Sequence, residues 1–249
     1  MQRYFVPDNQ QANDRIAIGG DDYHHIVRVM RMGKGSKLIC VLSNGKTARC
    51  EIEQITSENV IARVVEWIEE QTELPIRVYI AHGLPKGDKL ELVIQKGTEL
   101  GAFAFLPFLA ARSVVKWDAK KADKKIDRWK KIAKEAAEQA HRSQIPDIHA
   151  PLTIHELIEF AKTMDCRMVA YEEEAKRGNH QTLAAIFQQM KRGQSLLAVF
   201  GPEGGFSDEE VDLLRQHGFF SCSLGPRILR TETAPLYLLA AASYQFELQ

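Results

Sequence analysis

The four cysteines of this 249-residue chain, Cys40, Cys50, Cys166 and Cys222, are too few and too scattered to staple it. No CxxC occurs and no histidine stands at ligand spacing from them, so the thiols read as reduced and mostly buried. No GxGxxG follows a strand pattern, which argues against an ordinary dinucleotide or Rossmann-type crevice. There is likewise no Walker A sequence, no HExxH and no serine in a GxSxG elbow, so metal and nucleophilic chemistry have no local signature. The opening MQRYFVPDNQQ lacks an apolar signal core, and no run approaches about eighteen apolar residues. A cytoplasmic chain is expected. Net charge is missing too, because 33 Lys and Arg balance 33 Asp and Glu. Any attraction to nucleic acid must come from local asymmetry.

Such asymmetry is present. Residues 1–50 hold eight Lys and Arg against four Asp and Glu, and Lys116–Lys134 is a second basic run. Each is either a solvated face or a phosphate-binding surface. The rest of the composition, 45% apolar and 27% charged, is that of a globular protein with one large or two small cores.

Two patterns divide the chain. Residues 1–72 read as short strands broken by turns: Ile16–Ile18, Lys37–Leu42, Thr47–Ile55 and Val60–Trp67, with Asn44-Gly45 as a hairpin signal. Only Tyr23–Met32 reads as a helix there. A small β-barrel or sandwich is expected, followed by an acidic linker over Glu69–Glu73. From Ile76 onward strands alternate with helices. The expected strands are Ile76–Ala81, Phe103–Leu109, Arg167–Tyr171, Ser195–Phe200 and Phe219–Leu224. The expected helices are Lys86–Leu100, Lys120–Ser143, Thr153–Met164, Gln181–Lys191, Ser207–His217 and Thr233–Phe246. Thr153 with Glu156, and Ser207 with Glu210, have capping-box spacing. Alternation of this kind predicts a mostly parallel sheet covered on both faces.

Chemistry concentrates at two late strand ends. In LLAVFGPEGGFSDEEV an apolar strand ends on Gly201, and the Gly204-Gly205 pair precedes a helix. These glycines either make a tight turn or let backbone approach a ligand closely. Glu203 disfavours a phosphate and suits a ligand with a cationic centre. In LGPRILRTETAP, Arg227, Arg230, Thr231, Glu232 and Thr233 crowd beside a helix start. Either the threonines cap that helix among surface arginines, or Arg230 and Glu232 face a reaction centre. Lone histidines (His24, His25, His82 and His141) read as surface or core residues before catalytic bases.

FGPEGGFSDEE and LGPRILRTETA, with QKGTELG (Gln95–Gly101) and RWKKIAKEAAEQAHRSQIP (Arg128–Pro146), resemble the ribosomal RNA small-subunit methyltransferase E family. That family belongs to the SPOUT superfamily of knotted methyltransferases, and the resemblance runs from RYFV (Arg3–Val6) to the last helix. It implies methyl transfer from S-adenosylmethionine to N3 of a uridine in small-subunit ribosomal RNA. It implies a trefoil-knotted α/β domain over residues 73–249 and a PUA-like β-barrel over 1–72. The cofactor would be held by Gly201, Pro202, Glu203, Gly204, Leu224, Gly225, Ile228, Leu229, Arg230 and Thr231, with Arg230 and Glu232 catalytic and no metal. An arginine suits the charge developing on uracil oxygens, and a carboxylate suits proton acceptance or orientation. Arg3, His24, Arg28 and Arg31 would contact RNA, with Arg112 and Arg142 from matching segments. The chain departs from the family's frequent acidic residue before an arginine–serine pair, having Ala111-Arg112-Ser113.

Two rival readings stand beside this one. A non-catalytic RNA-binding or assembly protein would not need intact GPEGG and ILRTET segments, and a nucleotide-using enzyme of small molecules leaves the basic first domain unexplained. A homodimer is expected from the family and from Thr233–Phe246, which is apolar nearly all round. The alternative is a helix sunk between the sheet and its neighbours.

Overall fold

The computed structural model describes residues 1–7, 10–113, 119–171 and 181–249. Part of the basic run Lys116–Lys134 lies outside them. The described chain groups into two compact units, Met1–Glu73 with Ala137–Gln144, and Leu74–Ala136 with Ile145–Gln249. Residues 137–144 therefore group with the N-terminal unit, although the sequence reading gives them to the second domain.

In the first unit a curled sheet has the order β1-β4-β5-β6-β3-β2. Its strands are β1 (Arg3–Val6), β2 (Gln11–Ala12), β3 (Arg15–Ile18), β4 (Lys37–Leu42), β5 (Thr47–Ile55) and β6 (Val60–Ile68). Only β1 and β4 run parallel. Alternate residues of these strands, among them Leu38, Cys40, Ile52, Val60 and Ala62, are buried in one core. The helix expected at Tyr23–Met32 is shorter and earlier. It is α1 (Gly20–His24), continued by a π turn over His25–Val29 and ended by Arg31 at φ 51°.

The second unit is built on a seven-stranded sheet whose described pairings are all parallel. Its strands are β7 (Arg77–Gly83), β8 (Ala104–Phe108), β9 (Asp147–Ile148), β10 (Cys166–Ala170), β11 (Gln181–Thr182), β12 (Ser195–Phe200) and β13 (Phe220–Ser223). Their order is β11-β13-β10-β12-β7-β8-β9. The helices are α2 (Lys89–Glu99), α3 (Ala119–Gln139), α4 (Ile154–Ala161), α5 (Leu183–Gln189), α6 (Asp208–Gln216) and α7 (Thr233–Ser243), the last followed by a π turn over Tyr244–Leu248. All six residues of β12 are buried. Leu196, Ala198 and Phe200 join the core shared with α2, α5 and α7, while Leu197 and Val199 join the one shared with α4 and α6. Each buried Leu, Val or Phe contributes about 1.5–3 kcal/mol, so a strand apolar on both faces goes to the middle of the sheet.

Local signals set several boundaries. Both capping boxes form, with Glu156 N–H donating to Thr153 Oγ1 at 3.3 Å and Glu210 N–H to Ser207 Oγ at 3.2 Å. Phe206 and Val211 share a core cluster at the start of α6, as a hydrophobic staple requires. The helix α3 stops at Gln139, short of the expected Ser143. His141 turns left-handed at φ 57°, and Arg142 N–H donates to the Ala137 carbonyl at 2.9 Å in a Schellman closure.

Candidate functional site

Three strand ends converge in the second unit. The sheet order places β10 between β13 and β12, so the two glycine-bearing loops flank the end of a third strand. Their carboxyl ends open on a cavity of about 650 Å³, lined by Ala170 and Tyr171 at the end of β10, by Gly201–Glu203 after β12, and by Leu224, Gly225 and the Arg227–Glu232 segment after β13. This is where parallel α/β sheets hold ligands. Of the residues assigned from sequence to cofactor and catalysis, all line the cavity except Gly204. That residue is turned away, its carbonyl accepting from the Arg112 guanidinium at 3.2 Å.

The two loops are tied together. Thr231 Oγ1 donates to the Gly201 carbonyl at 2.6 Å. His82, next to last in β7, places Nε2 3.0 Å from the Thr231 carbonyl oxygen and Nδ1 2.7 Å from that of Gly83. Burial holds the His82 imidazole below the usual histidine range, against the pull of those two carbonyls. Gly83 is itself a close approach, since a Cβ there would meet Pro202 Cδ at 2.6 Å and Pro202 N at 2.9 Å.

The carboxylates divide into one satisfied and one open. Glu203 accepts from Lys86 N–H at 3.1 Å and from Lys89 Nζ at 2.8 Å. Burial pushes its carboxyl up, and those hydrogen bonds with the Lys89 charge outweigh it and hold the group below the ordinary range. The cationic partner anticipated for Glu203 in a ligand is therefore already supplied by the protein. Glu232 differs: its Oε2 is buried, has no hydrogen-bond partner among the described residues, and lies 3.9 Å from Lys89 Nζ. A buried open acceptor beside a cavity is costly unless something donates to it. The Arg230 side chain is exposed at the same wall. Cys222 also lines the cavity, but burial pushes its thiol up to about 12, which keeps it protonated and poorly nucleophilic. Among the described residues no three His, Cys, Asp or Glu gather as a metal site.

Lys89 and Tyr171 line the cavity without a sequence signal, and His82, read from sequence as a surface or core histidine, is buried. Lys89 is one lysine of a charged helix start, and nothing in its spacing points across to Glu203 at a separation of 114 residues.

The RNA-contact candidates separate by burial. His24, Arg28 and Arg31 are exposed on the first unit. Arg3 and Arg142 are each 2% exposed and belong to its interior. Arg3 donates to the Arg142 carbonyl at 2.9 Å and pairs with Glu70. Arg142 pairs with Glu73, which also accepts from Ser143 N–H at 2.9 Å. Both guanidiniums thus face carboxylates of the same unit. Arg112 is exposed and holds the Gly204 turn.

Comparison with known proteins agrees with this arrangement. Residues 72–243 match an RNA methyltransferase domain and residues 18–65 an RNA methyltransferase PUA domain. A ribosomal RNA small subunit methyltransferase E from Bacillus subtilis is 52% identical over 251 residues, covering 100% of this chain and 98% of its own. A Legionella pneumophila structure with the bound cofactor SAM is 30% identical and superposes with a TM-score of 0.84 over 97% of this chain and 96% of that one. A methyltransferase E from Neisseria gonorrhoeae bound to S-adenosyl methionine shares the fold at TM-score 0.85 and 23% identity, covering 99% of this chain and 98% of that one. No described helix is long and apolar enough to cross a membrane.

Proposed function

This chain belongs to the ribosomal RNA small subunit methyltransferase E family, and we propose that it methylates N3 of a uridine in small-subunit ribosomal RNA using S-adenosylmethionine. The observation that carries this reading is the open Oε2 of Glu232 beside Arg230. A uracil Watson–Crick edge presents N3–H between two carbonyl oxygens, so it offers one proton to an acceptor and two oxygens to cations.

The cavity suits the cofactor. About 650 Å³ is within the size range of small-molecule sites. At Gly201 a Cβ would come within 3.1–3.2 Å of the Gly205 backbone and the Phe206 ring, so the strand end is bare backbone that a ligand can reach. Gly201, Pro202, Leu224, Gly225, Ile228 and Leu229 would hold it, while Glu203, already paired with Lys89, shapes the loop. When bound, S-adenosylmethionine supplies an electrophilic methyl group on a sulfonium. Glu232 Oε2 then accepts the N3 proton. The Arg230 guanidinium faces the uracil oxygens as charge develops on them, and Lys89 keeps Glu232 beside a positive charge.

The first unit would hold RNA through His24, Arg28 and Arg31, positioning it without specifying the base. The substrate would be free ribosomal RNA or an assembled small subunit, met in the cytoplasm. A homodimer fits α7 and the π turn after it: Pro235, Leu238, Leu239 and Ala242 are buried, while Tyr237 of the helix and Tyr244 and Leu248 of the turn are 41%, 57% and 75% exposed. The helix is thus not sunk on all sides, and a second copy would cover the remainder. Light scattering should return twice 28.2 kDa.

The test is in vitro methylation with mass spectrometry of the nucleoside. Glu232→Gln should lower kcat by about 100-fold or more with cofactor affinity retained. A methyl group found on a ribose oxygen or a ring carbon would overturn the reading, as would full activity of the Gln variant.

A further inference from the structure

His82 has no role in the reaction as described, yet its surroundings single it out. It is 1% exposed and stacks on Phe200 with ring centroids 6.5 Å apart. Three oxygens surround its nitrogens: the Gly83 carbonyl at 2.7 Å, the Thr231 carbonyl at 3.0 Å and Thr231 Oγ1 at 3.3 Å. A buried imidazole must place both ring nitrogens against polar partners. Here the second partner lies 149 residues away, in the loop between β13 and α7.

That loop has little else to shape it. Gly225, Pro226, Arg227, Ile228 and Arg230 are exposed, and Ile228 is 78% exposed, so burial of apolar surface does not decide its conformation. Its downstream anchor is the start of α7, where Thr233 and Ala234 N–H groups donate to the Arg230 carbonyl at 2.9 and 3.1 Å. On the upstream side, Ser223 Oγ bonds the backbone of Gly225. Thr231 sits between, and His82 and Gly201 hold its carbonyl and hydroxyl respectively.

We propose that His82 is a positioning residue for methyl transfer: by holding the Thr231 carbonyl it orients the peptides that carry Arg230 and Glu232, and through the Thr231 hydroxyl it couples them to Gly201 in the cofactor loop. This rests on the reading of Arg230 and Glu232 given above. With a proton on Nε2 the ring donates to the Thr231 carbonyl, and the interior strand β7 supplies the fixed point. The loop is then ordered before substrate arrives, which is how a group away from the reacting atoms changes kcat.

Three variants of the full chain test this. His82→Leu fills the space without a donor, His82→Gln carries an amide N–H at the position of Nε2, and His82→Asn carries one too short to reach the Thr231 carbonyl. Leu and Asn should lower kcat by about 10- to 100-fold while the KM for RNA stays within about twofold, and Gln should recover most of the loss. Combining His82→Leu with Thr231→Val should cost less than the product of the single losses, because one network is removed twice. Wild-type kcat in either the Leu or the Asn variant, or a folded Gln variant as slow as Asn, would overturn the assignment. If the Leu variant does not fold, the Gln and Asn pair still decides. Hydrogen exchange keeps the two readings apart: faster exchange over residues 230–234 in Asn but not Gln supports the brace even if N3 proves not to be the methylated atom, and equal exchange in both counts against it.

Discussion

Thr231 donates its hydroxyl to the Gly201 carbonyl across 2.6 Å, joining two loops thirty residues apart in sequence. The bond is part-buried and closes the floor of the cavity between β12 and the loop after β13. Thr231→Val keeps the shape and leaves the Gly201 carbonyl unanswered. S-adenosylmethionine affinity by calorimetry should fall by about tenfold, the worth of one such hydrogen bond, and Thr231→Ser should restore it. Equal affinity in the Val and Ser variants would remove this link from the cofactor site.

Gly83 and Gly201 are positions where an added Cβ presses on backbone. A Cβ at Gly83 would sit 2.9 Å from Pro202 N, and one at Gly201 would sit 3.1 Å from the Gly205 carbonyl carbon. Gly83→Ala should shift the Pro202 turn and destabilise the protein by about 1–3 kcal/mol in urea unfolding. Gly201→Val should abolish cofactor binding. Unchanged calorimetric affinity in the Val variant would exclude the β12 end as the ligand site.

The arginines of the first unit should divide by experiment as they do by burial. Arg142→Ala removes the guanidinium from Glu73, which keeps its Ser143 and Gln144 N–H donors, and should cost about 1–3 kcal/mol of stability. Arg28→Ala with Arg31→Ala should leave the melting temperature unchanged and weaken RNA binding. The slope of log K against log salt should fall by about 0.7–0.9 per lost phosphate contact. An unchanged slope would make that face a solvated one.

Asp165 joins the starts of β10 and β12. Its Oδ2 accepts from Ser195 Oγ at 2.7 Å and from Ser195 N–H at 2.8 Å, and these bonds hold its carboxyl below the ordinary range. A group depressed in the folded state contributes stability that is present above the unfolded pKa, about 3.9, and is lost as pH falls through the native value. Asp165→Asn should therefore melt below wild type at pH 7, and the gap should close on acidification beneath about pH 4. A gap that persists at pH 2 would mean the side chain acts by packing instead.

Wherever a signal spans a few residues, the chain could be read directly. Thr153 with Glu156 and Ser207 with Glu210 start helices where their spacing places them, because an N-cap and its N3 partner need only each other. The apolar run Ser195–Phe200 announces a strand buried on both faces, and the loops at Gly201 and Gly225 line the cavity at the carboxyl end of the sheet. Two-residue strands such as β9 and β11 carry no period and were not legible, and the end of α3 turned on His141 adopting a left-handed conformation that few side chains favour.

Partner choice belonged to the tertiary structure. Arg28 and Arg142 look alike in the sequence, but one ends in solvent and the other on Glu73, because burial of a guanidinium depends on carboxylates brought from elsewhere. The insertion of β10 between β13 and β12 put Tyr171 into the cavity wall, and strand order follows from packing of both sheet faces, not from any one strand. His82 and Lys89 became part of the site only when β7 and α2 were laid beside loops more than a hundred residues away. Sequence determined most of the elements and pointed to the end of the sheet that carries the cavity; the assembled fold alone decided which charges there are answered and that Glu232 keeps one oxygen open.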